Sequence, residues 1–340
     1  MTAFGNRYNL FRMQTIVIST SGGPEVLQAA ERPIPELQPG HVLVRVAAAG
    51  INRIDILQRR GKYPPHAGAP QDIPGMEVSG TVEAVHETCL RYRPGDKVMA
   101  LLTGDGYAEY VAAPEDLCLP IPANIAVRDA AALPEAMFTV WANLFVAACL
   151  RPSETVLIHG GASGIGSMAI QMLRAHGAHP IVTARSEQKC KWCVELGAEL
   201  AVNYQASDFA AAIKDYTQGR GVDVILDMIG GDYLPRNISL LAPRGRLVWI
   251  GAQRGVKGEA DITRIMQQRL VITGSSLRGR TVAEKSRLAR EIERRAMPWL
   301  VKKAIKPVIY KVFPLNMAAE AHKTLESGEH HGKILLEVAV

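Results

Sequence analysis

A chain of 340 residues is long enough for two domains, and its 48% hydrophobic and 21% charged residues exclude a disordered protein. No apolar run reaches the ~20 residues that span a bilayer; the longest, Ala136 to Leu150, is interrupted by Asn143 and predicts a buried helix. Much of the net charge of +6 lies in residues 278–306, where interleaved glutamates indicate a solvated helix face rather than a nucleic-acid groove.

The chain start and the cysteines favour a cytoplasmic protein. The first residues lack the continuous apolar core of a secretory signal. Met13 begins the first expected strand, so we expect residues 1–12 to be an extension or an alternative start. Five sparse cysteines form no disulfide framework. Cys190 and Cys193 match C-x-x-C, which is either a redox or zinc pair or two thiols on a helix. Without a second such pair or a histidine cluster nearby, we favour the helix.

Up to about residue 135 the chain has short β-like runs separated by Gly and Pro, which predicts a compact all-β domain. These runs include "HVLVRVAAAG", "VSGTVEAV", "RPGDKVMAL" and "YAEYVAAP". The late segments "KPVIYKVFPL" and "GKILLEVAV" return to this pattern, so we expect them to rejoin the first domain and make it discontinuous. The predicted boundaries place residues 1–137 and 306–340 in this domain and residues 138–305 in a second one.

In the second domain, strands alternate with segments of helical length. This alternation predicts an α/β fold with a doubly wound parallel sheet of six strands. In the strand order 3-2-1-4-5-6 the sixth strand lies at the edge, and an uncovered apolar edge predicts pairing in a homodimer. The expected strands are Thr155–Ile158, Pro180–Thr183, Ala201–Asn203, Val222–Asp227, Arg246–Ile250 and Leu270–Thr273.

The segment "HGGASGIG" at residues 159–166 lies between the first of these strands and the helix that follows. Gly161, Gly164 and Gly166 allow a tight turn and a close approach of the backbone to a pyrophosphate. Backbone N–H groups at the start of the helix then face the anion. Because the glycines stand where this geometry requires them, they predict a dinucleotide-binding loop rather than an ordinary turn.

The end of the second strand selects between NADH and NADPH. An acidic residue there would bind the free ribose 2′-hydroxyl of NADH. Here Thr183 is followed by Ala184, Arg185 and Ser186, with Lys189 one turn later and no acid before Glu187. Arg185 and Lys189 suit a 2′-phosphate, so the sequence predicts NADPH, with two ordinary surface cations as the alternative.

Together with this loop, several motifs resemble the medium-chain dehydrogenase/reductase superfamily over residues 13–340. Its NADPH:quinone oxidoreductase branch, the zeta-crystallin-like group, is the most similar. The segments "LPEAMFTVW" and "DMIGG" look most like the subgroup of the tumour-suppressor-inducible quinone oxidoreductase. The other motifs are "AGINRIDILQRRGKYP" (49–64), "PGMEVSGTV" (74–82), "RPGDKV" (93–98) and "HGKILLEV" (331–338). The resemblance implies a GroES-like β domain joined to a Rossmann domain.

The chain departs from the zinc alcohol dehydrogenases of this superfamily at their metal ligands. Asn52 stands in place of the cysteine ligand and Ile54 in place of a proton-relay hydroxyl. Met76 replaces the histidine ligand, and Glu135 holds the third ligand position. The cysteines of the structural zinc lobe are also missing. Because asparagine and methionine are poor zinc ligands, we expect no metal.

The resemblance implies hydride transfer from NADPH to a quinone or a related enone. Without a metal, hydrogen-bond donors must stabilise the developing oxyanion, and Asn52 and Tyr63 are the candidates. Asp55 is a third catalytic candidate. Asn52 could instead cap a helix with Asp55 bonding the local backbone, and Tyr63 could pack against Pro64 and Pro65. Alternative functions are reduction of 2-alkenals or enoyl thioesters and, more remotely, nucleotide-gated binding of single-stranded RNA.

The resemblance also carries cofactor contacts onto this chain. Three positions follow strands of the sheet and are expected near the nicotinamide half: Ile229, Gly251 and Leu277. The residues expected at the rest of the cofactor are Thr139, Ser163, Gly164, Ile165, Thr183, Arg185, Ser186, Lys189, Tyr204 and Lys333.

Overall fold

The computed structural model describes residues 12–63 and 72–338, which form two compact units. Among these residues, the first unit contains those up to Glu135, Arg278–Val301 and those from Pro307 onward, and the second contains Ala136–Leu277 and Lys302–Lys306. The chain passes from the first unit to the second between Glu135 and Ala136, close to the predicted domain boundary at residue 137. Arg278–Val301, however, packs with the first unit, whereas the sequence pattern assigned it to the second domain.

The first unit is built on a mixed sheet in the order β14-β15-β3-β4-β5-β7, in which β14 and β15 are parallel and the other pairs are antiparallel. β6 also pairs with β3, and β1 and β2 form a separate hairpin. β15 pairs with β3, so the predicted return of the C-terminal segment is confirmed. Valines at alternate positions of β3 are fully buried and form the centre of its core. The strands are β1 (Arg12–Ile18), β2 (Leu27–Pro33), β3 (His41–Gly50), β4 (Glu77–Val85), β5 (Lys97–Leu101), β6 (Tyr110–Pro114), β7 (Cys118–Pro120), β14 (Ile309–Pro314) and β15 (Lys333–Glu337).

The second unit is a six-stranded parallel sheet in the order β10-β9-β8-β11-β12-β13, so the predicted doubly wound fold is confirmed. β12 begins earlier than expected, because a register shift and the left-handed Arg244 interrupt its apolar pattern. The strands are β8 (Thr155–His159), β9 (His179–Ala184), β10 (Leu200–Asn203), β11 (Val222–Asp227), β12 (Leu241–Trp249) and β13 (Val271–Gly274).

Three helices of the second unit begin at caps that the local sequence supplies. Ser163, Ser186 and Asp208 each accept a hydrogen bond from a backbone N–H of the first turn that follows. In chain order the helices are α1 (Arg53–Arg59), α2 (Val127–Ala130), α3 (Pro134–Val140), α4 (Gly164–His176), α5 (Glu187–Leu196), α6 (Phe209–Tyr216), α7 (Leu234–Leu240), α8 (Ile262–Gln268), α9 (Val282–Arg295), α10 (Met297–Val301) and α11 (Ala318–Ser327).

Polar contacts explain why α9 belongs to the first unit. Ser286 Oγ donates to Asp116 at 2.9 Å, and the Arg91 guanidinium pairs with Glu293 at 2.6 Å. Both partners lie in the first unit, and neither contact is visible in the local pattern that suggested a continuous second domain. The helix capping box of Thr281 and Glu284 fixes where α9 starts.

Two sequence interpretations concern buried segments. The apolar stretch after Pro134 forms α3 and a π-helical turn at Trp141–Ala147, and the amide of Asn143 donates to the carbonyl of Thr139 at 2.8 Å. Residues 127–147 have the length and composition to cross a membrane, but most of the segment is buried inside the protein. Cys190 and Cys193 are both buried on α5, which agrees with structural thiols, and burial raises the pKa of Cys193 to about 12.

Candidate active site

The dinucleotide loop has the geometry that its glycines predict. β8 ends at His159, Gly160 takes a left-handed conformation with φ of 75°, and α4 begins at Gly164. The hydroxyl of Ser163 accepts from the backbone N–H of Gly166 at 2.9 Å, so the first turn of α4 is capped. The other N–H groups of this turn are the donors that an anion at a helix start would use.

Two glycines of this loop are required by close packing. A Cβ atom on Gly161 would lie 2.6 Å from the Cβ of Val182, and one on Gly166 would clash with the backbone oxygens of Gly160 and Gly161. The helix can therefore approach the strands closely only without side chains at these positions. This cradle fits a dinucleotide pyrophosphate.

Thr183 supports the loop from below. It is buried, its carbonyl accepts from the N–H groups of Gly160 and Gly161, and its hydroxyl lies 3.0 Å from His159 Nδ1. These bonds hold the loop on the end of β9. We therefore reassign Thr183 from the expected cofactor contacts to a role in positioning the loop.

The residues expected at the adenosine half lie together after β9 and β10. Arg185 is exposed directly after β9, and Ser186 caps α5 by accepting from the N–H of Lys189 at 3.3 Å. The half-buried Tyr204 donates its backbone N–H to Ala184 at 3.1 Å, which brings the end of β10 beside Arg185. The carboxylate of Glu187 accepts from the Asn203 amide at 3.0 Å.

The nicotinamide candidates lie at the common edge of the parallel sheet. Ile229, Gly251 and Leu277 follow the carboxyl ends of β11, β12 and β13, where such sheets bind their ligands. Thr139 is buried on α3 of the same unit. The structure thus brings these positions to the expected edge of the second unit, and their contacts with a cofactor remain predictions.

A buried network that the sequence analysis missed holds this edge. Asp227 at the end of β11 accepts from the backbone N–H of Ile229 at 2.6 Å and from Asn237 at 3.0 Å. The other end of the Asn237 amide lies 2.8 Å from His159 Nε2. Burial lowers the pKa of His159, so the ring is neutral and links β8 to β11. The sequence did contain a signal for this network, namely an acidic residue, Asp227, at the end of a buried strand and shortly before two glycines.

In the first unit, Asn52 and Asp55 form the start of α1. The Asp55 carboxylate accepts from the backbone N–H of Asn52 at 2.8 Å and from Gly75 N–H at 3.2 Å. The Asn52 amide nitrogen donates to Glu77 at 2.9 Å and to the Gly50 carbonyl at 3.4 Å. These bonds use both hydrogens of the Asn52 amide, so its expected role as a hydrogen-bond donor to the substrate conflicts with its contacts.

Asn52 belongs to a buried ion cluster, defined here as Asn52, Glu77 and Lys333. The Lys333 ammonium lies 2.6 Å from a Glu77 oxygen and donates to the Asn52 carbonyl oxygen at 2.6 Å. It also donates to the Ile51 carbonyl at 3.2 Å. The side chains of Lys333 and Glu77 are 5% and 0% exposed. Because these contacts use all three ammonium hydrogens, we reassign Lys333 from the cofactor to this cluster.

Asp55 also begins a buried chain of hydrogen bonds. Arg59 donates to His322 Nδ1 at 3.4 Å, His322 Nε2 lies 3.0 Å from the Tyr107 hydroxyl, and Tyr107 donates to Asp55 at 3.2 Å. This direction requires a neutral His322 with its hydrogen on Nε2. Burial and the neighbouring Arg59 lower the pKa of His322 to about 3, and burial raises the pKa of Asp55 to about 6.

The depressed pKa of His322 predicts a loss of stability in acid. The unfolded chain takes up this proton near the ordinary pKa of 6.5 and the folded protein only near a pKa of 3. The contribution of His322 to stability therefore falls as pH decreases through this range. Between about pH 7.5 and about pH 5.5 this one group should cost roughly 1 kcal/mol. Urea unfolding of the His322→Gln variant should lack this part of the pH dependence, since glutamine can accept from Arg59 and donate to Tyr107 without titrating.

His86→Gln is the control, because His86 is in an exposed hydrogen bond and should keep the wild-type dependence. Equal pH dependence in the His322→Gln variant and the wild type would contradict a neutral buried His322.

Tyr63 lies just after α1 and is half-buried. Its ring centre is 5.3 Å from the guanidinium carbon of Arg278. The alternative of packing against Pro64 and Pro65 concerns residues outside the described part of the chain. Tyr63 therefore remains a candidate for substrate contact, beside an arginine that the sequence analysis did not single out.

The positions of the zinc ligands carry no cluster of metal-binding side chains. Met76 is buried in the first unit, and Glu77 is paired with Lys333. Over residues 12–63 and 72–338, no group of three or more His, Cys, Asp or Glu side chains could hold a metal ion. The charge that a cation would supply beside Asn52 is carried by the Lys333 ammonium.

Comparisons with known proteins agree with this architecture. A family model for an alcohol dehydrogenase GroES-like domain matches residues 38–123, and one for a zinc-binding dehydrogenase matches residues 164–294. The quinone oxidoreductase of Rattus norvegicus is 32% identical over 327 residues, which cover 95% of this chain and 97% of the relative. The chain belongs to the quinone oxidoreductase family of the medium-chain dehydrogenase/reductase superfamily. This family member is an oxidoreductase, and the predicted superfamily and branch are confirmed.

Solved structures extend the likeness of this oxidoreductase to three dimensions. The Escherichia coli quinone oxidoreductase complexed with NADPH is similar with a TM-score of 0.84 and 30% identity, over 95% of this chain and 99% of that one. An NAD-dependent alcohol dehydrogenase is similar with a TM-score of 0.85 and 33% identity, over 96% of this chain and all of that one. The narrower subgroup suggested by "LPEAMFTVW" and "DMIGG" stays a prediction.

Proposed function

We propose that this oxidoreductase is a zinc-independent enzyme that reduces quinones or related enones with NADPH. The observation that carries the proposal is the buried ion cluster. The Lys333 ammonium pairs with Glu77 and Asn52, and the resemblance to zinc alcohol dehydrogenases of the superfamily aligns Asn52 with one of their zinc ligands. A second cation placed there would meet the ammonium charge. The likeness to quinone oxidoreductases supports the substrate class.

A conjugated acceptor suits a site without a Lewis acid. In zinc enzymes the metal stabilises an alkoxide, whereas a quinone or enone delocalises the incoming charge over its conjugated system. The bound cofactor supplies a hydride. The residues of this chain must then orient the acceptor, exclude water and provide hydrogen-bond donors, for which Tyr63 is a candidate.

NADPH is the cofactor that the residues favour. The glycine cradle at the start of α4 fits a pyrophosphate. Arg185 follows β9 directly, with no acid before Glu187, and Lys189 lies one turn later. The Escherichia coli relative was solved in complex with NADPH, which supports the same choice.

The function is tested by NADPH oxidation with a panel of ortho-quinones, para-quinones, enones and 2-alkenals. EDTA is present throughout, after dialysis against a strong chelator. We expect turnover with quinones at a rate that dialysis leaves unchanged. Loss of activity that zinc restores would overturn the zinc independence. Turnover with alkenals alone would favour a reductase of 2-alkenals or enoyl thioesters. Salt-sensitive RNA binding that competes with NADPH would favour nucleotide-gated binding of single-stranded RNA.

We also propose a homodimer formed through β13. Val271 of this edge strand is 50% exposed, and Ile262 and Met266 on α8 are 68% and 71% exposed. An apolar edge strand beside exposed apolar side chains is a surface that a second copy could cover. We expect light scattering to give twice the monomer mass of about 37 kDa.

The Val271→Lys variant should shift this equilibrium towards the monomer, because a buried edge would hold an unpaired charge. Leu90→Lys, at an exposed position of the first unit, is the matched control and should stay dimeric. A monomeric wild type at micromolar concentration would refute the dimer.

We further propose a cytoplasmic location, with no membrane or nucleic-acid partner.

A further inference from the structure

The guanidinium group of Arg278 is buried in the first unit with open hydrogen-bond donors. The residue is 2% exposed. Its Nη2 donates to Gln58 Oε1 at 3.0 Å, while Nε and Nη1 have no hydrogen-bond partner in the described part of the chain. The Gln58 amide nitrogen beside it has no partner there either. Three N–H-bearing nitrogens are therefore shielded from solvent without an acceptor.

Such an arrangement is costly unless a ligand completes it. Buried polar groups in native proteins are nearly always hydrogen-bonded, and a buried charge needs a partner. Burial lowers the pKa of Arg278, and the charge of Asp55 opposes this shift, but no carboxylate in the described ranges hydrogen-bonds the guanidinium. The buried Lys285 donates to the Arg278 carbonyl at 3.3 Å and adds positive charge. The missing partner is therefore an oxygen with negative charge.

The position of Arg278 connects it to the catalytic candidates. Gln58 lies on α1, the helix that begins after Asn52, and the Tyr63 ring lies beside the guanidinium. The Asn52 amide is occupied by Glu77 and Gly50. Among the described residues of α1 and its surroundings, Arg278 and Gln58 carry buried donors without a hydrogen-bond partner.

We propose that Arg278, assisted by the Gln58 amide, binds the acceptor oxygen that becomes negatively charged during reduction. This inference rests on the proposed function. The acceptor gains a hydride, which is one proton and two electrons, and the nicotinamide is oxidised by the same two electrons. The resulting anion places its charge on the quinone or enolate oxygen, which the donors hold until a proton from water neutralises it. Arg278 stays protonated and transfers no proton.

A phenolate that mimics this anion tests binding without turnover. Titration of the protein with 4-nitrophenol, followed by the visible absorption of its phenolate form, should show binding of the ionised form. A hydrogen bond between charged groups contributes ~1.5–3 kcal/mol, so Arg278→Gln should weaken phenolate binding by about 10- to 100-fold. Arg287→Gln, at an exposed position of α9, is the control and should bind as the wild type does. Equal affinity in the Arg278→Gln variant would overturn the proposal.

Turnover gives an independent readout. Removing an oxyanion donor lowers kcat by ~10²–10³-fold, so Arg278→Ala should lose turnover while its NADPH affinity is retained. Added guanidinium ion should restore part of kcat in Arg278→Ala and none in Tyr63→Phe. Absence of rescue, with NADPH still bound, would contradict direct contact with the oxygen.

Stability separates this role from a structural one. Because the guanidinium has one side-chain hydrogen bond within residues 12–63 and 72–338, Arg278→Met should unfold at the same or a higher urea concentration than the wild type. A clear loss of stability would show that Arg278 serves the fold and would overturn the proposal. If phenolate binding depends on Arg278 but no quinone is reduced, the oxyanion site stands and the proposed function fails.

Discussion

Lys333→Met should lower the free energy of unfolding by about 3–5 kcal/mol, since it leaves Glu77 as an uncompensated buried charge. Lys333 and Glu77 are both almost completely buried and lie 2.6 Å apart. The other Glu77 oxygen accepts a hydrogen bond from the backbone N–H of Glu135 at 2.8 Å. This neutral donor cannot replace the positive charge of the Lys333 ammonium. Urea unfolding at neutral pH measures the loss.

Two further variants control this prediction. Glu77→Gln combined with Lys333→Met removes both charges and should recover much of the stability. Lys323→Met breaks an exposed pair with Glu320 of similar length, 2.7 Å, and should cost well under about 1 kcal/mol. If Lys333→Met is no more destabilising than Lys323→Met, the buried ion cluster does not contribute to the free energy of unfolding as we expect.

Arg185→Ala and Lys189→Ala should each weaken the binding of NADPH by about 10- to 100-fold and leave the binding of NADH nearly unchanged. A charge-assisted hydrogen bond contributes ~1.5–3 kcal/mol, and each ~1.4 kcal/mol is a factor of ten. Arg185 is exposed, so solvent screening reduces its share towards the lower limit. The kcat/KM ratio for the two cofactors is the measurement.

Lys191→Ala is the matched control for this pair, because Lys191 is exposed on α5, the helix that carries Lys189. Its cofactor ratio should equal that of the wild type. A wild type that prefers NADH, or an unchanged ratio in both the Arg185→Ala and Lys189→Ala variants, would show that these cations do not contact a 2′-phosphate.

Local patterns were sufficient for the second unit. The strands, the glycine loop and the cap at Ser163 follow from residues close together in the chain, so the six-stranded sheet and its loop could be predicted. Thr183 illustrates the limit of this reasoning. The sequence places it at the end of the second strand, where the structure also has it, but its buried hydroxyl faces His159. The direction of a side chain depends on the neighbouring strand, which a local pattern does not contain.

The sequence by itself determined the family, the sheet order and the position of the dinucleotide loop, because periodicity and glycine spacing act over short stretches of chain. Only the tertiary structure decided what surrounds Asn52. Lys333 contacts it from 281 positions away, and the chain from Asp55 to His322 joins distant elements. Burial then sets the pKa of Asp55 and His322 and leaves Arg278 with open donors. Desolvation and charge pairing depend on which residues the fold brings together, and no local pattern encodes them.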